Sequence, residues 1–351
     1  MGFCLKSFFR ADNISCNLTR RVIHLKKTHK TALKIAGAGV AVAAVAAAAS
    51  YITTKILVMV ALDRNPPKLP GKAAGAISGS AFDNKDFISD VEKYAKLLEN
   101  SEHELLEITA FDGTSLVGHY FKTPGAKRTV VCMHGWRSSW SIDFGMSAPH
   151  WIEQGCNLII PEQRGQSNSG GDYIGFGLIE RFDCLDWANY AAQLCPELPI
   201  YLSGVSMGAS TVLMAAGLEL PSQVKGIIAD CGFTSPYAIW KHVIKNNLHM
   251  GFGIKGVMAN AICKKRINFG ADSYSTIEAL QNSSVPVLLI HGDKDSFVPV
   301  DMSYENYEAC TAPKSLLIVS DAEHGMSFWK DTEGYKKAVF DFWDKYDAEQ
   351  V

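Results

Sequence analysis

The sequence predicts an α/β fold built on a mostly parallel, eight-stranded sheet with helices on both faces. Three observations lead there. Short apolar runs recur at 105–109, 116–121, 129–133, 157–160, 200–202, 225–229, 285–290 and 315–319. Helix-length segments separate most of them, at 145–154, 177–193, 207–218, 301–310 and 334–346. The composition is globular over 351 residues, 47% apolar and 20% charged, which excludes a disordered chain or a small disulfide scaffold. Buried apolar strands that alternate with helices form parallel sheets, because each crossover lays a helix on a sheet face.

Ahead of this pattern, residues 1–34 form a basic arm, with eight Lys or Arg against Asp12. Residues 35–54 carry no formal charge, and after Lys55 the apolar run continues to Leu62. Twenty helical residues span about 30 Å, the thickness of a hydrocarbon core, so 35–62 reads as a transmembrane anchor with Lys55 snorkelling to the interface. A basic flank stays in the cytoplasm, which places the rest of the chain outside. Three other readings compete. A cleaved signal peptide sits badly with so long a basic region. A soluble Ala-rich helix is compatible with the composition. A dinucleotide loop at Gly37 and Gly39 lacks the third glycine and a preceding strand. From Asp63 onward 25 basic residues face 35 acidic ones, the wrong balance for nucleic acid.

Residues 63–102 read as a linker and a helix. Pro66, Pro67 and Pro70 punctuate the linker, and Phe87, Val91, Tyr94, Leu97 and Leu98 recur at helical spacing over 82–100. Residues 103–351 make one domain. Asp112-Gly113 between the first two apolar runs is a hairpin signal. The stretch 236–280 interrupts the alternation with amphipathic, glycine-broken sequence and reads as a helical cap, whose Trp240, Phe252 and similar residues pack over the sheet or line a pocket. Nine cysteines show no CxxC or Cys/His ligand spacing, so they read as buried thiols and no metal is expected. No nucleotide or flavin cofactor is implied either.

The chemistry concentrates after three of the apolar runs. Gly204-Val205-Ser206-Met207-Gly208 follows one directly and opens a helical segment. A tight strand–turn–helix elbow exposes a serine, and glycines at both ends let strand and helix approach. An activating base and an orienting acid should follow in the order Ser, Asp, His. Asp295, in His291-Gly292-Asp293-Lys294-Asp295, and His324, in Asp321-Ala322-Glu323-His324-Gly325, each follow an apolar run. Asp293, and Asp230 at the end of the sixth run, are the rival acids. An oxyanion would be held by the Met207 N–H and by an amide of the loop His134-Gly135-Trp136-Arg137, with Trp136 first and Arg137 second. His134 reads as structural. Arg137 is either solvated or meets an acidic substrate group.

These motifs resemble the α/β-hydrolases, specifically the membrane-anchored bacterial serine hydrolases of the serine-aminopeptidase-like group. The resemblance spans about Glu104 to Tyr346. It rests on the His134-Gly135 pair, Arg164-Gly165-Gln166-Ser167, the Gly-x-Ser-x-Gly elbow, the stretch from His291 to Pro299 and His324-Gly325. It implies an α/β-hydrolase fold and a triad of Ser206, Asp295 and His324, the acid being the one three residues before Val298. Glu162 departs from the aspartate usual in that turn, a structural position. Members of this superfamily include esterases, thioesterases, peptidases and lipases, so the substrate does not come with the fold. The leading reading is cleavage of carboxylic esters, thioesters or small amides through an acyl-enzyme. The alternatives are an aminopeptidase-like peptidase, which needs an acidic cluster for a substrate amine, and a non-catalytic membrane-anchored binding protein.

Overall fold

The computed structural model describes residues 8–69, 71, 75, 77 and 84–347, and the chain divides into two units, Met1–Thr54 and Lys55–Val351. Helix α1 (Phe8–Leu62) supplies the secondary structure of the first unit. Its part from Thr19 is long and apolar enough to be a membrane span or a signal sequence. Its last turns, from Lys55, belong to the second unit, where Val58 and Leu62 are buried in one cluster with Ile174, Phe176 and Met207.

In the second unit the described chain continues through α2 (Lys85–Glu99), β1 (Glu104–Thr109), β2 (Ser115–Phe121) and β3 (Arg128–Met133). Two short helices follow, α3 (Trp140–Phe144) and α4 (Ala148–Glu153), then β4 (Cys156–Pro161), α5 (Glu180–Leu194), β5 (Ile200–Val205), α6 (Met207–Ala215) and β6 (Val224–Asp230). Next come α7 (Pro236–His242), a π-turn at Val243–Asn247, α8 (Gly253–Ile267), α9 (Thr276–Gln281) and β7 (Val287–Gly292). The described chain closes with α10 (Asp301–Ala309), β8 (Lys314–Val319), α11 (Ser327–Lys330) and α12 (Thr332–Asp347). The sheet order is β1-β2-β4-β3-β5-β6-β7-β8. β2 runs antiparallel to β1 and β4, and β3 to β8 are parallel.

Strand alternation divides the side chains between two cores. Val131 and Met133 of β3 join a cluster with Trp187, Val212 and Leu280 of α5, α6 and α9. Val130 and Cys132 point the other way, into a cluster with Phe87, Trp140, Trp151 and Trp343 of α2, α3, α4 and α12. All six residues of β3, β4 and β7 are buried, and each fully buried aliphatic side chain contributes about 1.5–3 kcal/mol.

Several elements differ from their sequence reading for local reasons. The helix expected at 145–154 is the shorter second member of a pair, Ala148–Glu153, and the first, Trp140–Phe144, precedes the expected span. Ser139 caps the first by accepting the Ile142 N–H, and Gly145 passes so close to α2 that a Cβ there would lie 2.8 Å from the Ala95 nitrogen. Pro149 then sits in the first turn of the second. The strand expected from Val285 starts at Val287, because Pro286 has no N–H to pair. Asn84 caps α2, accepting the Asp86 and Phe87 amides, and the start expected at 82 lies outside the described residues. So does most of the expected linker from 70 to its end at 80, whereas its beginning is tied down: Asp63 bridges Tyr173 and the Arg64 N–H donates to the Asp172 carbonyl.

Candidate active site

Ser206 caps the junction between β5 and α6 with φ 56° and ψ −115°, a conformation that a non-glycine residue rarely adopts. The flanking glycines make it possible. A Cβ on Gly204 would lie 2.2 Å from the Gly208 carbonyl oxygen, and one on Gly208 would lie 1.8 Å from that of Met133. Gly208→Ala is therefore expected to cost about 3 kcal/mol, measured by denaturant unfolding, since the atoms it strikes are backbone that cannot swing aside.

Parallel strands deliver the other groups to the same edge, as carboxyl ends of open α/β sheets do. His324, on the loop after β8, places Nε2 2.9 Å from Ser206 Oγ and Nδ1 2.7 Å from Asp295 Oδ2. Asp295, on the loop after β7, is held from behind. Its Oδ1 accepts the amides of Phe297 and Val298, at 2.9 and 2.8 Å. Its Oδ2 also faces His291 Nε2 at 3.1 Å. That nitrogen lies 2.9 Å from the Val298 carbonyl, which can only accept, so the His291 proton sits on Nε2 and Nδ1 accepts from the Ser303 hydroxyl. Sequence reasoning quoted His291 without giving it this work; its place four residues before Asp295 was the available signal.

Burial alone would raise the Asp295 carboxyl and lower the His324 imidazole. Their mutual attraction outweighs it in both, holding the carboxyl far below the usual range and the imidazole well above 6.5. The rival acids bond elsewhere. Asp230 accepts from the Ser327 hydroxyl, and burial pushes its carboxyl up to about 6. Asp293 accepts the Asp321 amide and fastens two loops together.

The loop after β3 presents three successive amides. Gly135 N–H donates to Asp143 Oδ2 at 2.5 Å, and Arg137 N–H donates to Gln166 Oε1 at 2.6 Å. Trp136 N–H, between them, has no acceptor among the described residues, and neither has Met207 N–H at the start of α6. The Arg137 guanidinium donates to the carbonyls of Val60 and Asp63. His134 is structural: Nε2 accepts the Gln163 amide and Nδ1 donates to the Gly135 carbonyl. Glu162, the departure in the Arg164-Gly165 turn, accepts from His119 and from the Asn168 amide.

A cavity of about 460 Å³ opens at Ser206 and His324. Its wall holds Phe87, Ile88 and Val91 of α2, Ile142 of α3, Met146 and Phe328. Cap residues Trp240 and Phe252 instead join the buried cluster around Met207, and neither lines this cavity. Sequence reasoning missed the part of α2 here, reading only that the helix had an apolar face.

Residues 142–349 match the sequence model of the prolyl oligopeptidase family. The chain belongs to that family. Its membership makes the protein an α/β-hydrolase and a hydrolase enzyme, in agreement with the sheet order. Among curated relatives of this prolyl oligopeptidase family member, the uncharacterized protein YqkD of Bacillus subtilis is 27% identical over 256 residues, covering 69% of this chain and 81% of that one. The uncharacterized protein YfhR of Escherichia coli is 26% identical over 249 residues, covering 68% and 80%. Among solved structures, the esterase Pf2001 of Pyrococcus furiosus is similar with a TM-score of 0.57 at 23% identity, over 74% of this chain and 95% of that one. The acylaminoacyl peptidase of Pyrococcus horikoshii gives 0.55 at 18%, over 72% and 43%. At such identities the likeness shows the shared fold.

Proposed function

We propose that the protein is a serine hydrolase that cleaves carboxylic esters of apolar acids through an acyl-enzyme on Ser206. The observation that carries the reading is the hydrogen-bonded chain Ser206–His324–Asp295 opening into an apolar cavity. Ser206 Oγ attacks the carbonyl carbon while its proton passes to His324 Nε2. The free amides of Met207 and Trp136 hold the developing oxyanion. The bond to the leaving alcohol then breaks, and the alcohol takes the proton from His324. Water repeats the sequence on the acyl-enzyme and releases the acid. Asp295 keeps the His324 proton on Nδ1 and balances the imidazolium.

The cavity favours an acyl group over an amino terminus. Of the carboxylates that line it, Asp143 is taken by the Gly135 amide and the Ser138 hydroxyl, and Asp230 by Ser327. That leaves exposed Glu92 as a weak partner for a substrate ammonium. Thioesters and small amides are slower substrates of the same site.

The test is a panel of p-nitrophenyl esters with short, medium and long acyl chains against aminoacyl p-nitroanilides, using the full-length protein. The expected result is a kcat/KM for the medium-chain esters at least about tenfold above any aminoacyl amide. Preference for the amides would make the protein an aminopeptidase. An absence of turnover together with no fluorophosphonate labelling of Ser206 would make it a binding protein.

A further inference from the structure

The loop proposed to hold the oxyanion is fastened by a distant part of the chain. Trp136 Nε1–H donates to the Ala61 carbonyl at 2.9 Å. Arg137 donates to the Val60 carbonyl from Nε at 3.2 Å and from Nη2 at 2.7 Å, and to the Asp63 carbonyl from Nη2 at 2.7 Å. These acceptors are the last turn of α1 and the residue after it. Helix geometry leaves final carbonyls without intrahelical partners and at the negative end of the dipole, so a guanidinium and an indole are fitting donors. The turn is itself fixed. Leu62 is fully buried and its carbonyl accepts the Ile174 amide. Arg64 binds the Ser167, Ser169 and Gly171 carbonyls, and Asp63 pairs with Arg266 of α8.

On the loop's side, the backbone needs such a restraint. Arg137 has φ 53°, in the left-handed region. The free Trp136 amide lies between two amides pinned by Asp143 and Gln166, and the side-chain bonds of Trp136 and Arg137 add a further restraint on its direction.

We propose that the C-terminal turn of α1 is a positioning element for the oxyanion hole, acting through the side chains of Trp136 and Arg137. The inference rests on the serine hydrolase reading and on the role given there to the Trp136 amide. It makes Trp136 and Arg137 positioning residues by their side chains, separately from that backbone donor.

The test uses the full-length protein and three variants, Trp136→Phe, Arg137→Gln and Leu62→Ala. The first two leave every backbone amide of the loop in place, and the third loosens the turn from within the buried cluster that it shares with Met207. Each is expected to lower kcat for an ester at least about tenfold with KM within about twofold. Affinity for a boronic acid, which mimics the tetrahedral intermediate, is expected to fall by the same factor while affinity for the product acid holds. A merely structural role would lower thermal stability without this matched loss. Should Leu62→Ala fail to fold, the two loop variants decide. Unchanged kcat in both, or kcat loss without boronate loss, overturns the proposal. Ser206→Ala separates the two levels: if it is inactive while the loop variants are normal, only the positioning role falls; if it is active, the hydrolase reading falls first.

Discussion

Ser206→Ala should lower kcat for esters by at least about 10⁴-fold and leave the fold intact. The hydroxyl oxygen is the attacking atom of the proposed reaction, and no other hydroxyl faces His324 Nε2 at a comparable distance among the described residues. Stability should hardly change, because alanine keeps the Cβ and therefore the same backbone strain at φ 56°. His324→Ala should cost about as much, and the double variant little more than either alone, since groups that act on one proton are not additive. Rates and thermal unfolding measured on the same preparations check this. More than about a tenth of wild-type activity in Ser206→Ala would remove the nucleophile from the mechanism.

Asp295→Asn should lower kcat by about 10²–10⁴-fold. The asparagine oxygen can still accept the Phe297 and Val298 amides, so the loop survives. Its NH₂ then faces His324 Nδ1, forcing that nitrogen to accept. The imidazole proton moves to Nε2, the position that must take the Ser206 proton. A pH signature accompanies the loss. His324 works as a base only when neutral, and the Asp295 charge holds its pKa above 6.5 against the effect of burial. The wild-type rate should therefore rise with pH through a value above 6.5. Removing the charge lowers that pKa, so the acid limb of the variant should move to lower pH. Asp230→Asn should leave both the limb and most of the rate in place. If it reproduces the loss while Asp295→Asn is silent, the acid role belongs to Asp230.

The sheet was legible because its strands are continuous apolar runs bounded by turn residues, a pattern that little else produces. The positions of Ser206, Asp295 and His324 followed from the same runs, since loops at their carboxyl ends share one edge. Contacts between elements far apart in sequence were not legible. Phe87 and Val91 announce that α2 has a buried face, but helical spacing cannot say that this face closes a cavity at Ser206. Residues 56–62 illustrate another limit: Val58 and Leu62 would be equally apolar in lipid and in a protein core, and composition alone cannot separate the two. The occupied side chain of Arg137 was hidden for a related reason, because its acceptors are backbone carbonyls, which every residue type possesses.

The origin of the cavity wall bears on how such a protein can diverge. The family-matched stretch begins at residue 142 and takes in the elbow, Asp295 and His324, while Phe87, Ile88 and Val91 lie well upstream of it. Part of the wall around the proposed reacting groups thus comes from a separate length of chain, which meets the matched stretch through packing and through hydrogen bonds such as Trp329 Nε1–H to Asp90. Substitutions at Phe87, Ile88 or Val91 are expected to change selectivity while leaving the Ser206–His324–Asp295 hydrogen bonds in place. The helix is a natural target for directed evolution, and a library confined to residues 87–92 would explore new substrates on an untouched engine.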